Sequence, residues 1–345
     1  VIVATPSTTT PASRPSSPRG AWTVVVVAYV GIAAVVATVW PLSSYALSLA
    51  AFGLAHVLTE LRYVDARFGA SLPRSFWRAT AMILGLVIAL RILGLAGGIA
   101  PAMMAPAELC LAALLFAVAV VPAWQRAASP AARALAVVGL VVAVAVTIGA
   151  VVDPVATLLV FALLHNATPA LFLIERAPPE RRGRTALASA AVFIGVPALV
   201  AAGAGHALLA TRGLGDVAPW TSVGALADHY RAYLPASLHD DDAASRLFSA
   251  AVTAQLLHYG AVIVWLPATL TDDDRASLPW PRSRKFAGIV VALSLGLLLH
   301  FVADFAGARA AYGVAAAVHA WIEWPVLVVG LAGARPSPGS TIQQA

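Results

Sequence analysis

The chain has 345 residues, of which 60% are hydrophobic and only 11% charged, with a mean hydropathy of +0.85. Soluble domains carry roughly 25% charged residues, so this composition excludes an ordinary soluble globule. The net charge of +6 does not point to a nucleic-acid partner either, because 21 Arg and a single Lys are spread over short loops between apolar runs.

Residues 1–20 are rich in Pro, Ser and Thr and read as a disordered tail. Arg14 and Arg19 precede an apolar run that is long for a signal peptide, so a first helix or signal anchor is expected there. Apolar runs of about 20 residues then recur with no short alternating strands, which predicts an all-α polytopic bundle in a lipid bilayer. The expected spans are 22–41, 43–63, 77–99, 101–122, 133–152, 154–175, 184–209, 246–270, 285–306 and 309–332, within a helical domain at 21–334. Residues 335–345 form a short C-terminal tail.

The loops sort by charge. Arg62, Arg67, Arg74 and Arg78 follow the second span, Arg126 and Arg133 flank the loop after the fourth, and Arg176, Arg181, Arg182 and Arg184 follow the sixth. Arg275, Arg282, Arg284 and Lys285 follow the eighth, and Arg335 the tenth. The intervening turns at 41–44, 97–101 and 153–154 hold no Arg or Lys. This alternation places both termini in the cytoplasm of a bacterial inner (plasma) membrane. One extracytoplasmic loop, 210–244, is long; it contains Trp220, His229, His239 and the run Asp240–Asp242, and reads as a solvated cap or as a lid over a site. Trp22, Trp40, Trp77, Trp124, Trp265 and Trp280 fall near span ends, as in an aromatic belt. His206 lies close to an outer boundary and reads as interfacial.

Five histidines lie inside the apolar spans: His56, His165, His258, His300 and His319. Imidazole is costly in hydrocarbon, and histidine is the commonest metal ligand. Counted from the outer ends of the expected spans, all five fall in a slab roughly 8 Å thick near the midplane, at 1.5 Å rise per residue. Glu60, Asp304 and Glu323 each follow a histidine by four residues, which puts each pair on one helical face. Such a carboxylate can ligate a metal or accept the second ring N–H of a ligating histidine. Glu60 approaches a basic boundary and has Arg62 or another loop arginine as an alternative partner. His300 and Glu323 are the candidate acid–base groups, and His300 is also a candidate ligand.

Arg91 and Glu108 sit at matching distances from a short turn, so the hairpin brings them level as a structural ion pair or as part of an ion path. Cys110, the only cysteine, excludes an intrachain disulfide and reads as a small buried hydrophobe.

The segment Phe52-Gly53-Leu54-Ala55-His56-Val57-Leu58-Thr59-Glu60 is similar to the F-G-x-P-H-G-A-x-D motif of the Brp/Blh family of membrane-embedded β-carotene dioxygenases. Phe161-Ala162-Leu163-Leu164-His165 resembles that family's aromatic-rich helix ending in a ligand histidine. Val57 and Ala55 replace the motif's glycine and proline, Pro169 stands where a second histidine occurs, and His300-Phe301-Val302-Ala303-Asp304 is a loose echo of a third element. The resemblance implies a multi-helix membrane enzyme that holds Fe(II) with histidines, His56 and His165 among them, and cleaves a polyene with O₂.

A histidine-rich site suits Fe, Cu or Zn more than Mg or Ca, and a midplane position suits a lipophilic substrate such as a polyene, quinone or acyl chain. The expected function is therefore a membrane metalloenzyme, an oxygenase or oxidoreductase, with Fe(II) favoured over Zn or Cu. The alternatives are a b-type haem electron carrier, a metal or proton transporter using the same histidines, and a protein in which they only make interhelical hydrogen bonds.

Overall fold

A computed structural model describes residues 19–205, 217–231, 233–239 and 243–333, with side chains from residue 22 onward. His206 and Asp240–Asp242 lie outside the described residues, as do most of the N-terminal tail and the C-terminal tail with Arg335.

The described residues form an all-α bundle without strands. In chain order the long helices are α1 (Arg19–Val39), α2 (Pro41–Val64), α3 (Arg74–Leu95), α4 (Pro101–Arg126) and α5 (Pro130–Val152). Then come α6 (Pro154–His165), α7 (Thr168–Arg176), α8 (Arg182–Ala190), α9 (Val196–Ala201) and a short α10 (Leu226–Tyr230). The chain closes with α11 (Ala244–Gly260), α12 (Ser283–Ala303) and α13 (Phe305–Ala332). Among the described residues, nine helical stretches are long and apolar enough to span a membrane, and α6 with α7, bent by 41°, passes the same test as a pair. π-helical turns prolong α2 through Gly69 and α11 through Trp265, and join α8 to α9.

Local sequence sets many of these boundaries. Proline occupies the first turn of α2, α4, α5 and α6, where its missing N–H costs nothing. Ser129, Asp153 and Asp304 cap α5, α6 and α13 by accepting from the amides of Ala132, Ala156 and Gly307. The cap at Asp304 ends α12 at Ala303, so α13 begins four residues before the expected 309.

Burial divides the bundle into a centre and a lipid-facing rim. The most apolar windows of α11, α2 and α13 are 67%, 50% and 44% buried, above every other span, and these three helices carry His258, His56 and His319. The outer faces of the rim helices are apolar too, with Val151, Leu187 and Leu299 exposed, as hydrocarbon solvent permits. Cys110 belongs to that rim: it is exposed on α4, not buried as expected, because an apolar side chain in a membrane need not face the core. A Cβ at Gly260 would fall 2.5 Å from the Tyr29 ring, so glycine there lets α1 approach α11 closely.

The two ends of the bundle are tied differently. At one end Arg67 forks onto Glu175 at 2.5 and 3.1 Å and reaches Asp274 at 3.2 Å, while Arg176 joins Asp274 at 3.1 Å. Loops after the second, sixth and eighth spans therefore meet at one end, as their charge predicted. Asp274 lies outside the spans; burial works to raise its carboxyl, but amide and hydroxyl donation from Thr271 with the two guanidiniums holds it below its ordinary value. Next to it Asp65 accepts from Ser277 N and Oγ, Leu278 N and Trp280 Nε1 at 2.5–3.1 Å, pinning the 271–282 loop. Asp65→Ala orphans these donors and is expected to cost about 2–3 kcal/mol, read as a lower melting midpoint in detergent.

At the other end the 217–239 segment folds onto the helices. Trp220 Nε1 and Ser222 Oγ donate to Phe301 O at 2.9 and 3.0 Å. His229 is buried rather than solvated: it donates from Nε2 to Val223 O at 2.7 Å and packs on Tyr45 and Phe305. Burial there pulls its imidazole below the ordinary histidine value. His239 is half-buried and donates to Leu234 O. The described part of this segment thus packs as a roof on the helices, with His229 buried where solvent was expected.

Candidate metal centre

Four helices deliver one imidazole each to a single point. α2 supplies His56, with Glu60 one turn on; α6 ends on His165; α11 supplies His258; and α13 supplies His319, with Glu323 one turn on. The break after His165 is local in origin. Thr168-Pro169 opens α7 with proline in its first turn, and Thr168 Oγ1 stands 2.6 Å from both His165 O and Glu323 Oε2. An interrupted helix at membrane depth is tolerated where it lines a buried cavity.

One donor atom from each of His56, His165, His258 and His319 lies within 4.8 Å of all the others, and the same holds for Glu60, His258, His319 and Glu323. His319 is the hub: its Nε2 is 3.0 Å from His56 Nε2 and 2.9 Å from His165 Nε2. Two nitrogens bound at right angles to one cation, with bonds of about 2.1 Å, are about 3.0 Å apart.

The tautomers support the same point. His56 Nδ1 faces the Phe52 carbonyl at 3.4 Å and His165 Nδ1 faces Glu323 Oε2 at 2.7 Å, so both Nδ1 atoms carry the proton and both Nε2 atoms present a lone pair. A single Nε2–H on His319 cannot point at two lone pairs. A cation satisfies all three at once.

The remaining groups are short of partners in the same direction. Both ring nitrogens of His258 and both oxygens of Glu60 are buried and have no hydrogen-bond partner among the described residues. Their nearest approach is 3.5 Å, His258 Nε2 to Glu60 Oε2. Polar atoms left this way inside apolar surroundings are costly, and a cation between His258 Nε2 and Glu60 Oε2 removes that cost for the two facing atoms. The residues therefore fit a metal ion. Glu323 already acts on a ligand: it fixes the tautomer and orientation of His165, in the manner of a carboxylate behind a metal-bound histidine. Glu323→Gln is expected to lower metal affinity roughly 10–100-fold, measured by competition with a chromophoric chelator.

Of the expected site residues, His56, His165, His258, His319, Glu60 and Glu323 come together. His300 does not. It is exposed near the end of α12, because the Asp304 cap brings the helix to a close three residues later. Asp304 commits its carboxylate to the Gly307 amide, so neither residue belongs to the centre. Glu60 does not pair with Arg62, whose guanidinium lies 4.4 Å from the Phe286 ring centroid. Arg91 and Glu108 do pair, at 2.8 and 2.9 Å, with Arg91 Nη1 also on Gly313 O and Trp321 Nε1 on Glu108 Oε1.

The four imidazoles line a cleft of about 680 Å³. Leu158, Phe161 and Trp324 supply apolar wall, and Tyr233, Leu234 and His239 of the roof also line it. Tyr259 stacks on His56 with ring centroids 4.1 Å apart. Sequence reasoning did not single out Thr168 or Tyr259; the Thr-Pro step inside an apolar run was the signal for the first, and adjacency to His258 for the second. Comparison with protein-family models, with curated proteins and with solved structures returned no match.

Proposed function

We propose that this chain is an integral-membrane metalloenzyme, an iron-dependent oxygenase or oxidoreductase, acting on a lipophilic substrate of the polyene, quinone or acyl-chain class. The observation that carries the proposal is the convergence of four imidazoles on one point in the wall of an apolar cleft. Iron held there supplies O₂ chemistry at positions the protein leaves open. The residues of the chain do the rest: four helices hold the ligands, Glu323 and Thr168 lock His165, the α6 and α13 side chains accept an apolar chain, and the roof keeps bulk water away. The arginine distribution supports an orientation with both termini on the cytoplasmic side of a bacterial inner membrane.

Geometry disfavours the alternatives. Axial haem ligands stand on opposite faces of a macrocycle, whereas these Nε2 atoms are 2.9–3.0 Å apart with no slot between the rings. A transport relay spreads ionisable groups along the membrane normal, whereas these surround one point.

The test is metal analysis and an optical spectrum of the purified protein, followed by oxygen uptake with β-carotene and with a quinol. The expected result is about one non-haem metal ion per chain, as two donor groups that share His258 and His319 imply, and uptake that depends on a lipophilic substrate. A Soret band, or a protein that takes up no metal, would overturn the proposal.

A further inference from the structure

Building on that metal-centre reading, the geometry points to Glu60 as a direct fifth ligand, bound to the ion from behind the four imidazoles, with the cleft-facing position left open. Four observations carry this. Glu60 is 0% exposed, and neither carboxylate oxygen has a hydrogen-bond partner among the described residues. A carboxylate whose job was to orient a histidine would accept a ring N–H, as Glu323 does from His165 Nδ1 at 2.7 Å. Glu60 Oε2 instead faces the ligating atoms themselves, 3.5 Å from His258 Nε2 and 4.0 Å from His319 Nε2. Donors around one ion with bonds of about 2.1 Å are separated by about 3.0 Å at right angles and about 4.2 Å when opposite, and both Glu60 distances fall within that range.

The third observation is the side from which Glu60 approaches. All four histidines line the cleft, but Glu60 and Glu323 do not. The imidazoles thus stand between Glu60 and the cleft, so a ligand arriving through the cleft approaches from the histidine side. The fourth is charge. Four neutral imidazoles leave a divalent cation uncompensated in a low-dielectric interior, and the Glu60 and Glu323 carboxylates together cancel its two charges.

Cobalt(II) reports coordination number directly, since tetrahedral cobalt absorbs visible light much more strongly than five-coordinate cobalt. Full-length protein in detergent is stripped with chelator, reloaded with Co(II), and compared with Glu60→Gln and Glu60→Asp. The expected wild-type spectrum is weak and five-coordinate. Glu60→Gln should shift to a stronger, lower-coordinate spectrum and bind cobalt more than about 100-fold less tightly, beyond what an outer carboxylate costs. Glu60→Asp, which keeps the carboxylate, should recover part of both. Glu60→Gln with an unchanged spectrum and affinity would overturn the assignment and leave the histidine centre standing. A wild-type protein that binds no cobalt, zinc or iron would instead overturn the metal-centre reading and this assignment with it. X-ray absorption on the cobalt proteins gives a second reading: an oxygen donor on the metal in wild type that is lost in Glu60→Gln supports Glu60, and four imidazoles alone in wild type overturn it.

Discussion

Replacing His319 with alanine is expected to abolish tight metal binding while leaving the bundle folded. His319 Nε2 is the atom the other donors share, 3.0 Å from His56, 2.9 Å from His165 and 4.0 Å from Glu60. Its removal strips a ligand and leaves the remaining donors arranged around a gap. Losing a direct ligand should reduce affinity by more than the roughly 100-fold that outer partners cost, so occupancy after dialysis should fall from full to background. Without metal, the three Nε2 atoms compete for too few protons, so the apo variant should melt within a few degrees of apo wild type. Metal-loaded wild type should melt well above both, because binding the folded state alone stabilises it. If the histidines merely tied helices together, the result would invert: His319→Ala would melt far below wild type without metal, and added metal would raise neither.

Glu108→Ala is the substitution expected to damage the fold most. The Glu108 side chain is 4% exposed and accepts three hydrogen bonds, two from the Arg91 fork and one from Trp321 Nε1. Removing it strands a guanidinium and an indole N–H at the junction of α3, α4 and α13. Breaking a buried pair costs about 3–5 kcal/mol, and the 30% exposure of the Arg91 side chain places this pair toward the lower end. Trp321 also lines the cleft two residues from His319, so lower metal affinity should accompany the lower melting midpoint. The exchange Arg91→Glu with Glu108→Arg should regain a substantial part of the loss. Strictly additive losses from the two single changes would sink direct pairing. Gly313 contributes to this junction: its carbonyl accepts from Arg91 Nη1, and a Cβ there would crowd that guanidinium at 3.2 Å.

The sequence by itself determined the membrane class, the approximate spans and the shared level of His56, His165, His258 and His319. These follow from composition, from the alternation of arginine between loops and from the constant rise of a helix, all of which are local or one-dimensional. It also determined the Arg91–Glu108 pair, because a short hairpin turn leaves two charges at one level with each other as the nearest partner. Depth is not direction, however, and only the tertiary structure decided which groups at one level face one another. His300 had a suitable depth on the expected spans but not in the folded chain. The Asp304 cap ends its helix at Ala303 and leaves the ring on the rim, a decision made by a carboxylate and one backbone amide.

The same holds for the other residues. Glu60 looked like a boundary carboxylate within reach of Arg62, and packing of α2 against α11 turned it toward His258 instead. Thr168 was marked only by the Thr-Pro step in an apolar run, and the break after His165 set it against Glu323. His229 was expected in solvent and lies under the roof because Tyr45 and Phe305 cover it. In each case the deciding quantity is rotation about a helix axis or the residue at which a helix stops. Both are fixed by contacts with segments distant in sequence, which no periodicity within a single span encodes.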